Sequence, residues 1–104
     1  MKVTVVRAGG VAGMVLTVEV DAGELDAEAT AQLTGLVDAC EFPETPPAAT
    51  KGRADTFDYE LAVERDDGAV RRTRFGQGAA PPGADALVAW VLDGPHGHRH
   101  VGRW

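Results

Sequence analysis

The stretch FDYELAVERDDGAVRRTRF, residues 57–75, alternates apolar and polar side chains on both sides of the turn residues DDG. Because alternate side chains of a strand lie on opposite faces, this pattern predicts an antiparallel hairpin that buries one face. A two-residue turn would place Arg72 and Arg74 on the core face, whereas a three-residue loop at 66–68 places Thr73 and Phe75 there and leaves Arg72 and Arg74 on the solvent face. We therefore predict the three-residue loop, which places Phe75 opposite Tyr59.

Two more strand-like runs stand at the N-terminus: KVTVVR at residues 2–7 and MVLTVEV at residues 14–20. Both are rich in β-branched residues, and the second alternates between an apolar and a mixed face. The runs are close enough in sequence to pair antiparallel. We predict a second hairpin with residues 8–13 as its loop.

One amphipathic helix follows each hairpin. The first spans roughly residues 26–40, with Asp26 as its N-cap and with Cys40 on its apolar stripe. Gly35 inside this helix costs about 1 kcal/mol relative to Ala, which suggests a close packing contact there. The second helix lies in PPGADALVAWVLDGP and is stopped by Gly94 and Pro95.

These elements predict a two-layer α+β fold in the order ββαββα, a four-stranded antiparallel sheet with two helices on one face. The length of 104 residues fits one domain, which we assign to residues 1–94. Residues 95–104 contain histidines and no core-facing pattern, so we expect a flexible tail.

Composition excludes several partners. A formal net charge of -6 disfavours binding to nucleic acid, because phosphate backbones would be repelled. The apolar runs are too short to cross a bilayer, and MKVTVVR lacks the apolar core of a secretory signal. We expect no membrane partner and a cytoplasmic location.

The chain offers few groups for catalysis. It contains no serine, and its single cysteine, Cys40, is expected in the core. His96, His98 and His100 alternate in the tail and are weak candidates for a metal site, since no further ligand stands near them in the sequence. We therefore expect no enzyme activity, no cofactor and no metal, and we favour a binding role.

Two connecting segments are alternative candidates for the binding surface. RAGGVAGM, residues 7–14, contains three glycines but neither GxGxxG nor a P-loop, and it leads into a strand where a phosphate site needs a helix. It can be a permissive hairpin tip or a slim protrusion that enters another molecule's cleft. FPETPPAATKGRAD, residues 42–55, is a long loop stiffened by three prolines.

Four stretches together resemble the emfourin family of small proteinaceous inhibitors of thermolysin-like (protealysin-type) zinc metallopeptidases. They are VRAGGVAGM, AQLTGLVDA, DTFDYELAVERDDG and PPGADALVAWVL. The resemblance covers most of residues 1–93, and the Arg-x-Gly-Gly hairpin is its more specific part. It implies a thermolysin-like zinc metallopeptidase as partner and a cleft that is blocked without chemistry by the inhibitor.

The resemblance also suggests which residues bind the peptidase. The hairpin candidates are Arg7, Gly9, Gly10, Val11, Ala12, Gly13 and Met14, with Val11 or Met14 as the apolar anchor. The competing segment offers Phe42 and Pro43 on a preorganised loop. Two other functions stay open from the sequence: metal binding through the histidine tail, and a non-catalytic subunit whose sheet edge pairs with a partner.

Overall fold

Five antiparallel strands and two helices make up the regular structure of the chain, for which a computed structural model describes residues 1–9, 14–41, 57–76 and 78–103. The strands are β1 (Lys2–Gly9), β2 (Met14–Asp21), β3 (Phe57–Glu64), β4 (Val70–Gly76) and β5 (His98–Arg103). The helices are α1 (Ala27–Ala39) and α2 (Ala84–Asp93), and a short 3₁₀ helix spans Ala22–Glu24. The sheet order is β4-β3-β1-β2-β5, with every neighbouring pair antiparallel.

The β3–β4 hairpin has the predicted register. Tyr59 lies opposite Phe75, and their rings stack with centroids 5.5 Å apart. Glu60 lies opposite Arg74 on the solvent face, and their charged groups approach to 3.3 Å. Such cross-strand pairs each stabilise the hairpin by about 0.2–1 kcal/mol. The alternation of side chains and the three-residue loop both require this register. The prediction is confirmed.

The first helix begins and ends within one residue of the predicted range 26–40, and the second lies within the predicted stretch and ends before Gly94. The Asp26 carboxylate accepts a hydrogen bond from the Ala29 amide at 2.7 Å, which is the predicted N-cap of α1. Gly94 ends α2 as its C-cap. The expected packing contact at Gly35 is wrong, since a Cβ atom built there would meet nothing within 4 Å. No helix among the described residues has the length and apolarity needed to cross a membrane.

One hydrophobic core joins the helices to a single face of the sheet. The helices contribute Leu33, Val37, Leu87, Val88 and Val91, and the strands contribute Val3, Val5, Val18, Val20, Leu61, Val63 and Phe75. The strand residues occupy alternate positions and therefore share one face. The two-layer α+β architecture is confirmed, with both helices on this face.

The number of strands is not as predicted. Residues 98–103, expected in a flexible tail, form β5 and pair with β2 along its outer edge, so the sheet has five strands and the order becomes ββαββαβ. His98, Arg99, His100 and Val101 are all exposed. An edge strand whose described side chains, at residues 98–101, are all exposed shows no apolar alternation there, and the pairing depends on backbone hydrogen bonds that nearly every residue type can make.

Candidate functional site

The predicted binding residues that the structure describes, Arg7, Gly9 and Met14, lie at one end of the sheet, which we call the hairpin end. Gly9, the last residue of β1, pairs with Met14 of β2 on one side and with Phe57 of β3 on the other. Residues 10–13 join Gly9 to Met14, and residues 42–56 lead into Phe57. Both candidate loops therefore connect to adjacent strands at this end. Gly10, Val11, Ala12, Gly13, Phe42 and Pro43 lie outside the described residues.

Gly9 has a backbone conformation that explains one of the glycines. Its φ is 110°, a value that side chains with a Cβ rarely adopt. A permissive hairpin tip, one of the two alternatives that the sequence leaves open, needs positive φ at one or two of its glycines, and Gly9 has it. The strand thus leaves its regular path at the last residue before the loop.

A row of paired side chains crosses all five strands next to the hairpin end. In sheet order, its members are Phe75, Tyr59, Arg7, Leu16 and Val101. They lie on the helix-covered face, one step beyond the buried row of Thr73, Leu61, Val5 and Val18. We call this set the hairpin-end row. It is a strip of aromatic and aliphatic groups with one cation at its centre.

Exposure increases along the hairpin-end row from β4 to β5. Phe75 is buried, with 4% of its surface exposed, whereas Tyr59, Arg7 and Leu16 are half-buried and Val101 is 59% exposed. Met14, next to the row on β2, is also half-buried. The row is thus covered at its β4 end and open to solvent at its β5 end.

Arg7 is held at the centre of the row by an aromatic ring. Its guanidinium carbon lies 4.8 Å from the centroid of Phe57, a cation–π contact that contributes about 0.5–1 kcal/mol at an accessible site. Among the described residues Arg7 makes no ion pair, although it shares a cavity of about 260 Å³ with Asp85 and Asp93 of α2. Its N–H donors can therefore serve a partner's carbonyl or carboxylate.

The three histidines lie in different surroundings. His96 stacks on Trp90, with ring centroids 4.9 Å apart. The Nε2 atom of His98 lies 2.8 Å from a Glu24 carboxylate oxygen, and this hydrogen bond raises the pKa of His98. His100 lies opposite Thr17 in the sheet. Within the described ranges, no three His, Cys, Asp or Glu side chains come close enough to hold a metal ion.

Cys40 is part of the core, as predicted. Its exposed fraction is 8%, and burial, followed by the nearby charge of Glu41, raises the pKa of its thiol. A thiol that resists ionisation is a poor nucleophile. The site at the hairpin end therefore contains aromatic, aliphatic and guanidinium groups, which suit contact with another protein.

The sequence analysis missed part of this site. Leu16 and Phe57 were assigned to strands without a role in binding, and Val101 was placed in the flexible tail. The alternation in each strand was available, but the row appears only when the partners of β1 and β2 in the sheet are known. No pattern in HGHRHVGRW indicated that Val101 would complete the row.

These features define a small α+β protein with a partly exposed strip of aromatic and aliphatic side chains at one end of its sheet. A family model described as Emfourin matches residues 5–92, from within β1 to within α2. The chain therefore belongs to the emfourin family, a family of metallopeptidase inhibitors, as the resemblance indicated. Comparisons with curated proteins and with solved structures found no match.

Proposed function

We propose that the protein inhibits a thermolysin-like (protealysin-type) zinc metallopeptidase by filling its active-site cleft with the hairpin end. The observation that carries the proposal is the emfourin match over residues 5–92, which includes the second half of β1 and all of β2. The inhibitor itself performs no chemistry. It excludes substrate by occupying the cleft.

The geometry of the hairpin end supports this mode of binding. Gly9 carries no side chain and pairs with Met14, so the base of the hairpin is narrow on one strand. A narrow hairpin can place backbone donors and acceptors beside a strand of the peptidase, while Met14 or Val11 offers an apolar anchor to a pocket. The Arg7 guanidinium adds donors for a carbonyl or carboxylate on the rim of the cleft.

The segment with Phe42 and Pro43 is the second candidate for entry into the cleft. It leads into Phe57, whose ring lies under the Arg7 guanidinium at the base of the hairpin. Both segments can therefore contact one peptidase molecule, and neither excludes the other. Prolines in this segment lower the entropy that is lost on binding.

The proposal is tested by titrating a thermolysin-like peptidase with the purified protein and following a short peptide substrate and a protein substrate in parallel. We expect both activities to fall to zero at a near-equimolar ratio, with the inhibitor uncleaved. Loss of activity on the protein substrate alone would indicate binding outside the cleft. Full activity with both substrates, or steady digestion of the protein, would contradict the proposal.

The contribution of the hairpin is tested by Gly10→Trp, which adds a bulky side chain to the loop that is proposed to enter the cleft. We expect inhibition to weaken at least tenfold. A tenfold loss of affinity corresponds to about 1.4 kcal/mol of binding free energy, which the displacement of one apolar anchor can account for. Gly35→Trp is the matched control, because Gly35 is exposed on α1 with open space around its Cβ position. Equal inhibition by both variants would remove the hairpin loop from the interface and leave the segment with Phe42 as the candidate.

A further inference from the structure

We propose that β5 extends the binding surface of this emfourin and that Val101 contacts the bound peptidase. The strand spans residues 98–103, whereas the family match ends at residue 92, so family membership assigns no role to it. The inference rests on the proposed inhibitory function. It assigns the affinity for the target partly to a segment that lies outside the matched residues 5–92.

The first observation is that β5 is built into the fold. A Cβ atom at Gly97 would lie 2.4 Å from the Val18 side chain, so only glycine lets the chain pass this close to β2. Before it, His96 stacks on Trp90 of α2. After it, His98 bonds to Glu24. Three consecutive contacts at residues 96–98 therefore direct the chain into its position beside β2.

The second observation is the register that these contacts set. Val101 lies opposite Leu16, which in turn lies opposite Arg7, so Val101 is the outermost member of the hairpin-end row. Pairing continues to Met14, the residue that follows the hairpin loop, which lies opposite Arg103. A partner that covers Arg7 and Met14 would meet Val101 on the next strand of the same face.

The third observation is exposure. Val101 and Val70 are the exposed large hydrophobic residues among those the structure describes, at 59% and 48%. Val101 continues an apolar row beside the hairpin, on a strand whose other described side chains, those of His98, Arg99 and His100, are polar. An apolar group that stays open at the margin of an otherwise apolar strip is typical of a surface completed by a partner.

The partner that fits this surface has an apolar rim with a hydrogen-bond acceptor within it. The apolar rim would cover Leu16 and Val101, and a carbonyl or carboxylate would receive the Arg7 N–H groups, which have no ion pair among the described residues. In the proposed complex, this rim belongs to the edge of the peptidase cleft, beside the part filled by the hairpin.

The test measures the inhibition constant of the full-length protein with Val101→Asp and Val101→Thr, and Val70→Asp serves as the matched control. Val70 lies on β4 opposite Glu64, at the other end of the sheet, and is also on an edge strand. We expect Val101→Asp to raise the inhibition constant about tenfold or more, mainly through faster dissociation, because a charge replaces two methyl groups that the bound peptidase would bury. Val101→Thr should raise it about threefold to tenfold, and Val70→Asp less than twofold.

Hydrogen exchange of the β5 amides, measured on each free variant, separates lost contact from lost structure. If Val101→Asp releases β5, the comparison rests on Val101→Thr, which keeps the β-branched shape that strands favour. An inhibition constant of Val101→Thr equal to that of the wild-type protein would then overturn the inference. Failure of the wild-type protein to inhibit would refute the proposed function itself, whereas normal inhibition with no effect at Val101 would refute only the role of β5.

Discussion

Arg7 of β1 lies over the ring of Phe57 in β3, with the guanidinium carbon 4.8 Å from the ring centroid. Arg7 stands two residues before the end of β1, and Phe57 is the first residue of β3. The contact therefore joins the base of the hairpin loop to the strand entered from the proline-rich segment. A single side chain both supports the aromatic part of the hairpin end and offers donors to a partner.

This arrangement predicts a specific loss of inhibition in Arg7→Ala. We expect the inhibition constant to rise about tenfold, since removing an interfacial arginine commonly costs 1–2 kcal/mol or more. Arg71→Ala is the control. Arg71 lies opposite Val63 on the same face of the sheet, far from the hairpin end, and is exposed. Its loss should change the inhibition constant less than twofold.

Salt distinguishes contact from general attraction in this experiment. If both arginine variants weaken inhibition equally and high salt abolishes the effect, the positive charge acts at long range, and Arg7 is not in the interface. An effect at Arg7 that persists in high salt supports direct hydrogen bonding.

Gly83 fixes how the two helices meet. Its φ is 82°, and a Cβ atom there would lie 2.4 Å from the Ala39 carbonyl oxygen and 2.8 Å from the Cα atom of Cys40. The residue thus lets the start of α2 contact the end of α1. Gly68 in the β3–β4 turn has nearly the same φ, 88°, but open space at its Cβ position.

We predict that Gly83→Ala lowers the free energy of unfolding by about 3 kcal/mol or more, because backbone strain adds to a clash with atoms that cannot move away. Gly68→Ala has only the strain and should cost about 1 kcal/mol. Urea unfolding followed by circular dichroism measures both. Equal losses in the two variants would mean that the helix junction relaxes around the added methyl group.

The sequence was sufficient for the parts of the fold that local chemistry decides. Alternation across DDG predicted the β3–β4 register, and Asp26 with Gly94 marked ends of the two helices, because turns, caps and buried faces depend on neighbouring residues. Gly35 is the exception: a glycine inside a helix predicted close packing, but the space around its Cβ position is open. Composition alone does not distinguish a required glycine from a tolerated one.

The candidate site needed information that local patterns lack. The hairpin-end row depends on the order β4-β3-β1-β2-β5, which brings Tyr59 and Leu16 to either side of Arg7 from distant parts of the sequence. β5 was missed because its exposed side chains leave no periodic signal. The resemblance to emfourins indicated the class of partner, whereas the pairing of the residues beyond 92 with β2 became known only from the structure.

The contact between His98 and Glu24 predicts a pH-dependent contribution to the docking of β5. Hydrogen bonding and charge from Glu24, with smaller effects from Glu19 and Asp21, raise the pKa of His98 in the folded protein. The Lys2 ammonium lies 3.2 Å from a Glu19 carboxylate oxygen and partly offsets the effect of Glu19 on the pKa of His98. Because the folded pKa lies above the unfolded one, the stabilisation is fully present below the unfolded pKa of about 6.5 and is lost as pH rises through the folded pKa.

Glu24→Gln tests this contribution, because it removes the negative charge and keeps the shape of the side chain. We expect NMR titration to give a lower pKa for His98 in the variant than in the wild-type protein. The variant should also melt slightly below the wild-type protein at about pH 5, where His98 is protonated, and match it at about pH 9. The difference should be small because both side chains are exposed to solvent. A difference of the same size at both pH values would show that the substitution removes a neutral hydrogen bond between residues 24 and 98 and not an ion pair. The predicted pH dependence would then be wrong.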